Sequence, residues 1–73
     1  MDDKKLLKIF GLNLKFERLK RGLSQEAVAE AMNMSSVYIS NVESGKHKLS
    51  LVNAYKLCSF FEKTVEYMLT EKY

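Results

Sequence analysis

Apolar residues recur three and four apart along this chain, and no stretch alternates apolar and polar positions for the length of a strand. The pattern predicts an all-α protein whose breaks are marked by glycine or by Ser, Thr and Asn. A first helix is predicted from about Asp3 to Arg21, with acids at its start and Lys20-Arg21 at its end, as the helix dipole favours. Gly22 suits the left-handed residue that closes such a helix. Gly11, inside it, costs about 1 kcal/mol relative to Ala and allows a mild break there. Ser24 is a good N-cap. The second helix, about Gln25 to Met32, then turns Val28 and Met32 inward with Ala29 beside them. Asn33 tolerates a left-handed backbone, and Ser35 offers a fresh cap. The stretch from Ser24 to Gly45 therefore reads as two helices, the later one running from about Ser36 to Ser44. Ser50 caps a fourth helix, about Leu51 to Glu62, with Leu51, Ala54, Tyr55, Leu57 and Cys58 as inward positions. Thr64 caps a short fifth helix, about Val65 to Thr70.

Composition narrows the class. With 73 residues, 47% of them hydrophobic, the chain is expected to be a single domain, 1–73, with one core and no disorder. Cys58 is the one cysteine, so an intrachain disulfide is excluded. No apolar run of about 18 residues and no signal-peptide pattern is present, so a cytoplasmic protein without membrane contact is expected. His47 and Cys58 are joined by no acidic cluster, which argues against a metal site. Neither a nucleophile–base pairing nor a phosphate-binding glycine loop is visible, so no enzyme activity and no cofactor are expected. Charge is unevenly spread. Residues 1–22 carry seven Lys/Arg against three acids, residues 23–45 carry three acids and no Lys or Arg, and residues 46–73 carry five Lys against three acids. Basic flanks around this acidic segment suit a polyanion held at the sides, while the middle does something other than neutralise charge.

Two short helices, a tight turn, and a small residue, Ala29, where the helices pack closest make up a helix-turn-helix over 25–44. Met34 enters the core from the turn, and Ile39 and Val42 bury the inner face of the third helix. The outer face carries Ser36, Val37, Ser40 and Asn41. It is small and polar with one pair of methyl groups, which suits a DNA major groove.

At these residues the chain resembles the Cro/C1-type (XRE) helix-turn-helix family, over about residues 14–69. The segments "RLKRGLSQEAVAEAMNMS" and "YISNVESGKHKLS" carry the likeness. The resemblance implies a five-helix, lambda-repressor-like domain and a transcriptional regulator of double-stranded DNA. That regulator would most simply be a repressor acting as a homodimer on a palindromic operator. It implies that Gln25 touches a phosphate and buttresses the recognition helix. Ser35, Ser36, Val37 and Asn41 would face base edges or their phosphates, with Tyr38 and Ser40 toward the backbone or the edge of the groove. Lys46, His47 and Lys48 would meet phosphates. Arg18 and Glu43 match a pair that forms an internal salt bridge in the family. The chain departs from the family pattern in having Asn33 where Gly is frequent and Leu49 where Pro is common. It also has no Arg, Lys or Gln on the recognition face, which raises the demand for a dimer or for readout of DNA shape.

Two apolar groups exceed what one small core needs. One wraps the first helix, from Leu6 to Leu19, and the other is Phe60, Phe61, Tyr67 and Met68. Either the two groups pack more fully between the termini or they form a self-association surface, and in the second case the C-terminal group is expected to be the dimer interface. An alternative stays open: an antitoxin or adaptor whose main partner is another, unidentified protein.

Overall fold

The computed structural model describes residues 2–73, so Met1 of the expected 1–73 domain lies outside it. The described residues form five helices and no strand: α1 (Asp3–Lys20), α2 (Gln25–Met32), α3 (Ser36–Glu43), α4 (Leu51–Phe60) and α5 (Val65–Met68). The starts of α2 to α5 are those predicted, and each has a local chemical cause. Asp2, Ser24, Ser35, Ser50 and Thr64 each accept the backbone N–H three residues on, at 2.9–3.2 Å. Each such cap is worth about 1 kcal/mol.

The helix ends are as regular. At α1, α2, α3 and α4 the N–H of Leu23, Met34, Lys46 and Lys63 reaches back to the carbonyl of Arg18, Ala29, Asn41 and Cys58, at 2.8–3.2 Å. These are Schellman closures around a left-handed residue. That residue is Gly22, Asn33, Gly45 and Glu62 in turn. Glu62 takes this conformation without the freedom of glycine, a stop signal that its side chain does not advertise.

α1 crosses α3, α2 packs on α3, and α5 bridges α1 and α4. The core between them holds Leu14, Val28, Ile39, Leu57, Phe61 and Met68, all fully buried. α1 is unbroken at Gly11, contrary to the mild break that glycine allows. A Cβ there would stand 2.3 Å from the carbonyl oxygen of Val42 and 2.5 Å from that of Glu43. Gly11 is thus the point where α1 lies backbone to backbone on the end of α3.

Buried polar groups of α1 fasten the C-terminus. Asn13 donates to the carbonyls of Met68 and Thr70, at 2.8 and 3.0 Å, satisfying acceptors left free where α5 ends. Glu17, also buried, accepts from Arg21 at 2.8 Å, from Lys20 at 3.2 Å and from the Tyr67 hydroxyl at 3.1 Å. Burial pushes the Glu17 carboxyl up, but the hydrogen bonds from Arg21, Lys20 and Tyr67 outweigh it and hold its pKa at about 2.

These contacts overturn two expectations. The first concerns the aromatic group proposed as a dimer interface. Phe61 and Met68 are fully buried core residues. The Tyr67 hydroxyl is taken by Glu17 and its ring lies under Lys63 and Lys72. Phe60 is half-buried, edge-on to Phe61 with ring centroids 4.9 Å apart. α5 folds back over α1 and α4, and that reversal consumes the apolar surface. The second concerns α4. Leu51 and Tyr55, expected inward, are 80% and 68% exposed, and Val52 beside them is 61% exposed. The inward stripe is Ala54, Leu57, Cys58 and Phe61. Tyr55 is one residue, about 100°, out of that stripe, and Leu51 sits in a first turn that no helix covers.

Candidate nucleic-acid interface

The corner between α2 and α3 is built by Asn33, whose φ of 56° and ψ of 45° turn the chain out of α2. Met34 then drops against the core, and Ser35 restarts the helix by capping Tyr38 N–H. Ala29, only 3% exposed, leaves the room α3 needs to cross α2 closely.

One carboxylate locks the angle. Glu43, at the end of α3, takes two bonds from the Arg18 guanidinium, Nε to Oε2 at 2.6 Å and Nη2 to Oε1 at 3.0 Å. Gln25, the first residue of α2, donates to the same Oε1 at 3.0 Å. Arg18 also donates to the Leu23 carbonyl at 2.8 Å. Three helices therefore converge on one buried ion pair, and the hydrogen bonds to Glu43 raise the Arg18 pKa above its ordinary value. No described buried side-chain polar atom is left without a partner.

α3 faces outward with the side chains that its pattern predicts. Val37 is 68% exposed. Ser35 and Ser40 are exposed, and Ser36 and Asn41 half-buried. Tyr38 turns away from them: its ring packs against the core and its hydroxyl accepts from Asn53 of α4 at 3.0 Å. The only ionisable side chain of α3 besides the Tyr38 phenol is Glu43, held by Arg18, so the outer face is neutral. Beyond it, Gly45 at φ +75° swings the chain into a loop whose Lys46, His47 and Lys48 are all exposed. Lys8 of α1 packs against Gly45, its Cγ 2.9 Å from where a Cβ would stand, and so borders this loop. The Asn41 carboxamide meets the His47 ring at 3.0 Å.

Two members of this constellation, Asn53 and Lys8, were not identified from sequence. Nothing marks Asn53 out among surface residues of α4. Lys8 belongs to the basic opening segment, but only the close approach at Gly11 brings that segment to the loop. Among the described residues no three metal-ligating side chains gather, and no helix is long and apolar enough to cross a membrane.

The helix-turn-helix family model HTH_3 matches residues 14–68. Among solved structures the chain is similar to the restriction-modification controller protein C.AhdI from Aeromonas hydrophila. The identity is 34% and the TM-score 0.77, over 88% of this chain and 96% of that one. It is also similar to the clp gene regulator ClgR from C. glutamicum, at 26% identity and TM-score 0.81, over 88% and 82% of the two chains. The hypothetical transcription factor NHTF from Neisseria shares the fold at 24% identity and TM-score 0.86, over 96% and 79%. A comparison with the curated proteins found no match. With the family pattern running through the corner, the outward helix and the core beneath them, this protein belongs to the Cro/C1-type helix-turn-helix family of DNA-binding transcriptional regulators.

Proposed function

We propose that the protein is an operator-binding repressor that works as a homodimer, inserting α3 of each copy into successive major grooves of a palindromic site. The observation that carries this reading is the outer face of α3. It is neutral, made of hydroxyls, one carboxamide and the Val37 methyls, and is followed at once by exposed Lys46, His47 and Lys48. Cations beside such a face suit phosphates, and its small groups suit base edges. Ser35, Ser36, Val37, Ser40 and Asn41 are then the groove residues. Gln25 keeps its bond to Glu43, and its place as the first residue of α2 supports a phosphate contact there. Tyr38 braces α3 against α4 and reads no base. Covering 96% of a restriction-modification controller, at 34% identity, supports a comparable regulatory task here.

The dimer reading rests on a different surface from the one the sequence offered. α4 presents Leu51, Val52 and Tyr55 to solvent, beside an apolar groove of about 270 Å³ between α1, α4 and α5, lined by Leu6, Leu7, Leu49 and Val65 among others. Protruding apolar side chains next to a groove make a self-complementary patch, as a two-fold contact requires. The molecule measures 32 × 21 × 19 Å, so one chain spans about one turn of DNA and carries one recognition helix. Two copies are needed to place recognition helices about 34 Å apart. Repression follows from occupying a promoter.

Selection of bound sequences from random duplex DNA tests the reading. A two-fold symmetric consensus is expected, bound by two chains per duplex. Failure to enrich any sequence would turn the α4 surface into the functional face and favour a protein-interaction module.

A further inference from the structure

Asn41 and His47 lie on opposite sides of the closure that ends α3, yet their side chains touch. Asn41 Nδ2 lies 3.0 Å from His47 Nε2, a contact in which the amide donates when that ring nitrogen is unprotonated. The closure brings them together: Lys46 N–H bonds the Asn41 carbonyl at 3.0 Å, and the Ser44 hydroxyl bonds the same carbonyl at 3.1 Å. The half-buried Asn41 is thus held at its backbone and at its amide, while His47 remains exposed.

We propose that His47 is a positioning residue for base readout, fixing which edge of the Asn41 carboxamide meets the DNA. The inference rests on the reading that the outer face of α3 enters the groove. With Nε2 accepting one Nδ2 hydrogen, Oδ1 and the second Nδ2 hydrogen stay free together. That acceptor–donor pair is what adenine N6 and N7 require. Nε2 accepts only when the ring is neutral with its proton on Nδ1. A protonated ring has two donors and no acceptor, so the amide must turn over and put Oδ1 against the ring. Acceptor and donor then exchange places on the outward edge, and their order no longer matches adenine N6 and N7. The preferred base therefore follows the charge on His47. The charged residues nearest in the chain are Lys46 and Lys48 of its own loop, both exposed, and Lys8 of α1 packs against Gly45 two residues before it. Glu43, the acid of α3, is engaged by Arg18 and Gln25.

A His47 that only touched phosphate would act differently, changing affinity for every duplex by one common factor. The test is fluorescence anisotropy on the selected duplex and its single-base variants, at pH 8 and at pH 5.5. Wild type, Asn41→Ala, His47→Ala and His47→Gln are compared, and the quantity read is the ratio of affinities between bases at the position that Asn41→Ala flattens. Wild type should favour adenine there by about tenfold or more at pH 8 and lose or invert that preference at pH 5.5. His47→Ala should leave a ratio of about two or less at both pH values. His47→Gln should keep the preference at both, because its carboxamide oxygen accepts the same hydrogen and does not titrate. A His47→Ala protein that keeps the wild-type ratio, or a wild-type ratio that is constant with pH, overturns the inference alone. If Asn41→Ala flattens no position, the groove reading of α3 falls with it.

Discussion

Glu17 shows how much one side chain can do in a chain this small. It is buried at the end of α1, yet stays ionised because Arg21, Lys20 and Tyr67 all donate to it. Its pKa of about 2 lies below the ordinary 4.5, so the folded state binds this proton less readily than the unfolded chain does. The stabilisation is fully present above about pH 4.5 and is lost as the pH falls through about 2. Acid titration of stability should therefore show a loss on the order of 2 kcal/mol across that window. Glu17→Gln should be less stable at pH 7 and should lack that part of the acid loss, as chemical denaturation at several pH values would reveal. An identical acid limb in both proteins would mean that Glu17 is not ionised in the fold. Glu43 is the other buried carboxylate, and here the pair itself is at stake. Glu43→Gln leaves the Arg18 charge buried without its counter-ion, which typically costs about 3–5 kcal/mol. Thermal melting should drop steeply, and an unchanged midpoint would mean the pair is dispensable.

At the scale of elements, α1 and α3 meet at Gly11, and the physics there opposes helix propensity. Gly11→Ala would gain about 1 kcal/mol in an isolated helix. In the folded chain the added methyl meets two backbone carbonyl oxygens of α3, at 2.3 and 2.5 Å, and neither can move without shifting the helix. The variant should be destabilised, by roughly 1–3 kcal/mol as for other overpacked sites. Denaturant melts that show Gly11→Ala more stable than wild type would contradict the close approach. The same contrast explains what the sequence made legible. Ser24, Asn33, Ser35 and Gly45 act through their own neighbours in the chain, so the helix-turn-helix could be placed to within a residue. Asn13, Glu17, Phe61 and Met68 act through partners on other helices, and their burial depends on α5 folding back. Leu51 and Tyr55 went the other way: their apolar character predicted burial, but Tyr55 lies off the inward stripe and Leu51 stands exposed in the first turn of α4, at the edge of a groove. The Asn41–His47 contact depends on a loop that doubles back, which spacing along the chain does not express.

For the whole molecule, a packed core and two exposed faces divide the described residues. The core lies between the helices, the apolar α4 patch lies beside the basic loop, and the outer face of α3 remains open. Tyr55 is 68% exposed, so Tyr55→Glu should leave the helical spectrum intact. It should convert a dimer to monomers in sedimentation equilibrium and weaken binding to a full operator by about 10²–10⁴, the gain that tethering two half-sites gives. A wild type that stays monomeric at tens of micromolar without DNA would remove the preformed dimer. The central claim, that α3 enters the groove, is tested most directly by Val37→Glu. Val37 stands in the middle of that face, also 68% exposed, and makes no core contact that a glutamate would break. The substitution places a carboxylate against the phosphates and bases. Titration of the selected duplex, followed by anisotropy, should show wild type binding and Val37→Glu failing to bind at matched salt, with equal melting temperatures. A Val37→Glu protein that binds the duplex as tightly as wild type would contradict the account.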